Sequence, residues 1–291
     1  MTAGPVSVPV TTVASGGRRR VSRRLVFAAV PLVAYVVVAV VGPWVLPYDP
    51  VATATGDRLR APGTLLADGT RTWLGTDQLG RDLLAQVVAG ARISLTVAVA
   101  TVAIGGLLGA AVGLLAGYFG RWWDAVTMRV ADIQLAFPGL LLAILIAAVL
   151  GPSVRNVIIT LAVTRWVSFA RVARASALAV RGRDFVASAR VIGAGHGRIL
   201  TRYILPQAAP PLLVLAAVEI GLVVLSEASL SFLGLGVPLD EASWGATIAN
   251  GRDYLGSAWW IATIPGIALA GLVLSVSVLS DELGDSGNGR A

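Results

Sequence analysis

Cysteine and lysine are both missing from the 291 residues, and histidine occurs once, at His196. Without cysteine there is no disulfide, no thiolate nucleophile and no cysteine-ligated metal, and one imidazole is too few for a histidine metal site. Without lysine no G-x-x-x-x-G-K-[ST] phosphate loop can be completed. Charge of either sign is scarce as well, at 13% of residues against 56% hydrophobic, with a mean hydropathy of +0.79. That is more apolar material than one soluble core can hide, so the chain reads as a membrane protein, with no catalytic residue, metal site or cofactor of its own. All 23 basic residues are arginines, set against 16 acids for a net charge of +7. They lie between apolar segments rather than around a soluble fold, which argues against nucleic acid as a partner.

A helix needs roughly 20 apolar residues to cross a hydrocarbon core of about 30 Å. Six runs qualify: 25–46, 93–119, 133–150, 154–170, 211–235 and 259–280. The first follows Arg18, Arg19, Arg20, Arg23 and Arg24, as a signal peptide would, but it is too long and no A-x-A site follows. Placing the N-terminus in the cytoplasm puts sixteen arginines inside and seven outside, the asymmetry expected of short inside loops. The expected fold is therefore an all-α polytopic membrane protein, six transmembrane helices, with both termini cytoplasmic. Residues 1–24 form a basic, disordered cytoplasmic start, 25–46 the first transmembrane helix and 47–91 an external segment. A core of five helices over 92–283 carries a cytoplasmic segment at about 171–207, and 284–291 is a disordered tail. No inverted repeat of the kind found in many secondary transporters is evident.

Several features stand out within the spans. Gly105, Gly109, Gly113 and Gly117 recur every four residues, a stripe where another helix backbone can come close, either inside this subunit or at a partner or moving gate. Glu219 and Glu227 project about 80° apart on the fifth span. Carboxylates at that depth face a water-filled path or a structural partner such as Arg165 or Ser226. Arg165 itself is expected to snorkel toward the cytoplasm. Pro138 and Gly139 predict a kink in the middle of the third span. Trp73, Trp244, Trp259 and Trp260 fit an interfacial aromatic belt.

The cytoplasmic segment carries the most specific pattern. Asp184, Phe185, Val186, Ala187, Ser188, Ala189 and Arg190 read as a short helix ended at Gly193. Phe185, Val186, Ala189 and Ile192 form an apolar face that its own chain is not expected to bury. After Gly193 come nine residues and then Tyr203-Ile204-Leu205-Pro206. This spacing resembles the EAA loop of ABC-importer permeases, E-A-A, three residues, Gly, nine residues, I-x-L-P. Ala187-Ser188-Ala189 stands for E-A-A, so the glutamate is missing, and Tyr203 replaces isoleucine. The external Trp73-Leu74-Gly75-Thr76-Asp77-Gln78-Leu79-Gly80-Arg81-Asp82 is similar to a signature of the second permease of dipeptide, oligopeptide and nickel importers. So is Ser226-Glu227-Ala228-Ser229-Leu230-Ser231-Phe232-Leu233-Gly234-Leu235-Gly236.

The resemblance implies a type I ABC importer permease fold in a bacterial inner membrane. It implies a second homologous permease, two ATP-binding subunits that carry ATP and magnesium, and an extracytoplasmic substrate-binding protein. The loop from Asp184 to Gly193, with Leu205 and Pro206, would seat on an ATPase, and Arg190, Arg198 and Arg202 would meet an acidic rim. Glu227 and Glu219 become candidates for the translocation path. His196 is expected to be a surface side chain. The implied cargo is di- or oligopeptides, with nickel, glutathione or haem as alternatives. A proton-coupled transporter using Glu219 and Glu227 is a distant rival, and it leaves the Gly193 and Leu205-Pro206 spacing unexplained.

Overall fold

A computed structural model of the protein describes residues 23–45, 49–238 and 241–288. Among these, regular structure is helical, apart from two isolated bridges, Leu65 with Arg71 and Thr76 with Asp82. The expected basic start before residue 23 and the last three residues lie outside the described residues. Helix α1 covers Arg23–Val45, α2 Leu83–Phe119, α3 Arg121–Leu135, α4 Gly139–Leu150 and α5 Val154–Arg181. After these come α6 (Asp184–Val191), α7 (His196–Ile199), a π-helical turn at Leu200–Ile204, α8 (Leu205–Phe232), α9 (Trp244–Gly251) and α10 (Trp260–Asn288). Four helices are long and apolar enough to span a bilayer: α2, α5, α8 with the turn before it, and α10. The pair α3 and α4 makes a fifth span if taken together, and α1 contributes a shorter apolar stretch, Ala29–Gly42.

The glycine stripe explains the centre of the molecule. Helix α2 packs along α5 in the largest helix contact among the described residues. Gly105 lies over Ala162, Gly109 over Trp166, Gly113 over Ala170 and Gly117 over Arg174, so the two helices run parallel. A Cβ on Gly109 or Gly113 would overlap the carbonyl oxygen of Trp166 or Ala170, and one on Gly117 would come within 2.6 Å of the Arg174 oxygen. The stripe is therefore a backbone-to-backbone seam inside this subunit. Around it, Val97, Leu161, Phe169, Val223, Leu230 and Leu272 close the core, with α8, α10 and α1 on the outside of the seam.

The boundaries differ from expectation where polar side chains decide them. Asp82 accepts a hydrogen bond from the Ala85 amide at 2.9 Å, capping α2 at Leu83 rather than near 93. The helix accordingly begins at 83, inside the expected 47–91 segment. Helix α5 runs past 170 to Arg181 because its arginines find partners on neighbouring helices. Arg171 pairs with Asp132 at 2.7 Å, Arg174 grips Asp124 through two nitrogens, and Arg181 donates to the Gly117 oxygen at 2.8 Å. The stretch between the expected second and third spans is helical for the same reason, since α3 carries Asp124 and Asp132.

The expected kink in the third span is a full break. Helices α3 and α4 meet at 87° across Ala136, Phe137 and Pro138. Proline supplies no amide and its ring crowds the preceding turn. Gln134 fixes the break to α5, donating to the oxygens of Val163 and Thr164, both at 3.0 Å, and accepting from the Trp166 indole at 2.8 Å. The fifth span starts far before 211, at His196, since the π-helical turn carries the helix past Pro206; there the Leu205 amide bonds the Leu200 oxygen. Helix α10 continues through Gly284 to Asn288, so most of the expected disordered tail is helical.

Gly113→Ala should lower the stability of the detergent-solubilised protein by about 1–3 kcal/mol, because the seam must open. Gly139→Ala, with nothing near its Cβ, should leave it within experimental error. Thermal unfolding followed by tryptophan fluorescence compares the two.

Candidate functional site

At the cytoplasmic end, α6 is anchored along one side and open along the other. Val186 and Ala189 are buried, packing with Ile199, Ile204 and Ala208 against Tyr118, Ala173, Ala177 and Val180 at the ends of α2 and α5. The expected single unburied face of Phe185, Val186, Ala189 and Ile192 is thus split by the helix geometry. Phe185 stacks on Tyr203, with ring centres 6.2 Å apart. The open side is Asp184, Ala187, Ser188, Val191 and Ile192, which recur at helical spacing and are all exposed. Val191 and Ile192 are 87% and 80% exposed, too much apolar surface for an isolated cytoplasmic helix to leave in water.

The base beneath α6 is held by polar contacts. The Tyr118 hydroxyl and His196 Nδ1 are 2.8 Å apart, and the Arg190 guanidinium lies 5.6 Å from the Tyr118 ring centre. His196 is exposed, as expected, yet it is also tied to Tyr118. Gly193 has a φ of +82°. Its amide bonds the Arg190 oxygen at 3.0 Å and the Ala194 amide bonds the Ala189 oxygen at 2.9 Å, the paired bonds of a Schellman cap. Leu205 and Pro206 are exposed where α8 begins, whereas Ile204 just before them is buried. Ile204, Ile199, Tyr118 and Arg181 are structural members of this site that the motif does not reveal. Their apolar spacing before the prolines was the available signal for the isoleucines.

At membrane depth the three charged groups of α5 and α8 come together differently from expectation. Arg165 does not snorkel. Its Nη1 is 3.4 Å from Glu219 and its Nη2 donates to the Ser226 hydroxyl at 2.6 Å. Glu227 is fully buried, accepting from the Ser94 hydroxyl at 2.9 Å and the Ser231 hydroxyl at 2.8 Å. It ties α2 to the outer end of α8, where Gly234 (φ +76°) closes a second Schellman cap onto Leu230 and Ser231. Glu219 is also enclosed, with its side chain 4% exposed, while Arg165 is 25% exposed. Of the three groups, the arginine is the one that borders the outside of the chain.

On the external side the Thr76-Asp77 pair organises residues 49–82. Asp77 is 1% exposed and accepts from the amides of Leu79 and Arg81, from Arg81 Nε at 2.7 Å and from Gln86 at 3.0 Å. Gln86 also accepts from Thr247 on α9. Trp260 donates to the Thr76 oxygen at 3.1 Å and Trp244 to the Val87 oxygen at 2.8 Å. Trp244 and Trp260 are therefore buried braces and not belt residues; Trp73 and Trp259 remain exposed. On the rim, hydrogen bonds from the Thr70 hydroxyl and amide hold the exposed Asp68 carboxyl below the usual carboxylate range.

These features define a multi-pass, all-helical membrane subunit with a hydrogen-bonded external segment at one end and an anchored, partly open helix at the other. Residues 109–284 match the family model described as binding-protein-dependent transport system inner membrane component. The chain belongs to that family and is a permease subunit of an ABC transporter in the inner membrane. A protein of Brucella suis biovar 1 (strain 1330) is 42% identical over 269 residues, covering 92% of this chain and 88% of its own. The di/tripeptide transport system permease protein of Pseudomonas aeruginosa (strain UCBPP-PA14) is 39% identical, covering 85% of this chain and 82% of its own. Among solved structures, a chain of the inward-facing MetNI methionine ABC transporter superposes with a TM-score of 0.56 at 19% identity, covering 69% of this chain and 95% of that chain. At that identity the likeness is one of fold. Membership sets aside the proton-coupled rival, and both of its glutamates already have partners inside the chain.

Two outcomes are expected. Gly193→Asn should keep more ATP-coupled uptake than Gly193→Val in the reconstituted transporter. No atom lies within 4 Å of the missing Cβ, so the cost is the left-handed backbone, roughly 1–2 kcal/mol for ordinary residues and less for Asn. Glu227→Gln should keep a folded, monodisperse protein, whereas Glu227→Leu should strand two buried hydroxyls at about 1–3 kcal/mol each. Size-exclusion profiles in detergent after a heating series separate the two.

Proposed function

We propose that this permease forms half of the translocation path of an ATP-driven importer of di- and oligopeptides. A second homologous permease supplies the other half, two ATPase subunits bind and hydrolyse ATP with magnesium, and an extracytoplasmic binding protein delivers cargo to residues 49–82. The observation that carries the coupling half of this reading is the two-sided α6. Its small open side, Ala187 and Ser188, permits close approach to a groove, and Val191 and Ile192 supply apolar surface. Its anchored side rests on the ends of α2 and α5 through Val186 and Ala189. A groove that closes around α6 on ATP binding would thus push the seam helices directly, and the π-helical turn would pass the same displacement into α8. The absence of the family's glutamate at Ala187 leaves this contact to shape and apolar area. Peptide cargo is supported by the di/tripeptide relative, whose likeness spans most of both chains.

Affinity purification of the tagged permease in mild detergent should recover a second permease and two ATPase subunits at stoichiometric levels. Purified with a binding protein in liposomes, the complex should accumulate dipeptide only with ATP. Uptake by this chain alone under a proton gradient would overturn the reading.

A further inference from the structure

Arg165 lies eleven residues into α5, about 16 Å from its external end at 1.5 Å per residue and so near the middle of the hydrocarbon. A guanidinium there is costly against lipid and is found facing a partner or a water-filled cavity. Its side chain is 25% exposed, so the face it opens onto is not a lipid face. Two partners hold it, Glu219 at 3.4 Å and Ser226 at 2.6 Å. The Glu219 oxygen nearest it has no good hydrogen bond of its own. A guanidinium carries five N–H donors, and these two contacts leave several without a partner among the described residues.

One further feature sits beside it. At the depth of Arg165, Gln134 pins the α3–α4 break to the oxygens of Val163 and Thr164. Interrupted backbone at membrane depth is tolerated where it lines protein or a water-filled cavity. We propose that Arg165 lines the translocation path and contacts the C-terminal carboxylate of the passing peptide. Glu219 and Ser226 are positioning residues that hold the guanidinium toward the path. The assignment rests on the peptide reading above.

The test uses the complete complex in proteoliposomes, with binding protein saturated by alanyl-phenylalanine or by its C-terminal amide, and reads uptake per loaded binding protein. The wild type should move the free acid faster than the amide. Arg165→Gln should cut the acid-to-amide ratio by about tenfold, the scale of one lost charge-assisted hydrogen bond. Arg165→Lys should restore part of the ratio, and Ser226→Ala should reduce it by a smaller factor. Equal losses for acid and amide, an unchanged ratio, or failure of both Arg165 variants to copurify the partner permease would overturn the assignment, the last making Arg165 an assembly contact. If the wild-type complex moves neither form, the peptide reading itself falls and takes this assignment with it.

Discussion

The close approach of α2 and α5 backbones is the constraint on which the other contacts depend. Inside a bilayer there is no hydrophobic drive between helices, so packing and polar pairing must do the work. Four glycines in register permit a seam that ordinary side chains would hold open. Once it forms, it sets the register in which Arg174 meets Asp124, Arg181 reaches the last carbonyls of α2, and Gln134 reaches α5. The cytoplasmic platform for α6 is built from the ends of these same two helices.

The two glutamates and the one glutamine at depth each reach another helix. Glu227 bridges to Ser94, Glu219 to Arg165, and Gln134 to α5 main chain. Among these charged groups the guanidinium of Arg165 is the one that is partly exposed, and its position beside a broken span gives that exposure meaning. At the two ends of the molecule the logic is different. There Asp77 and Gly193 shape backbone turns, and the exposed side chains around them are free for other proteins.

Much of this was legible in the sequence. Apolar runs marked the long helices that can span a bilayer, the stripe marked the seam, and the Ala187 to Pro206 spacing marked the short α6 and its glycine cap. What was not legible depended on partners distant in sequence. Arg165 looks like a snorkelling residue until α8 brings Glu219 and Ser226 beside it. Trp244 and Trp260 look interfacial until their indoles meet Val87 and Thr76. The split of the α6 face followed from Ile199 and Ile204, whose burial depends on how the chain returns after Gly193. Helix ends were missed where one side chain decided them, as Asp82 does for α2.

The length of α2 has a mechanical consequence. Its 37 residues form one uninterrupted helix, a rod of about 56 Å that joins the external module to the platform beneath α6. Stiffened by α5 along its length, it acts as a lever arm and not as a chain of local adjustments. A tilt of about 10° about one end carries the other end through roughly 10 Å. Small angular changes at the cytoplasmic end would thus be converted, by geometry alone, into displacements of about 10 Å at the opposite membrane surface.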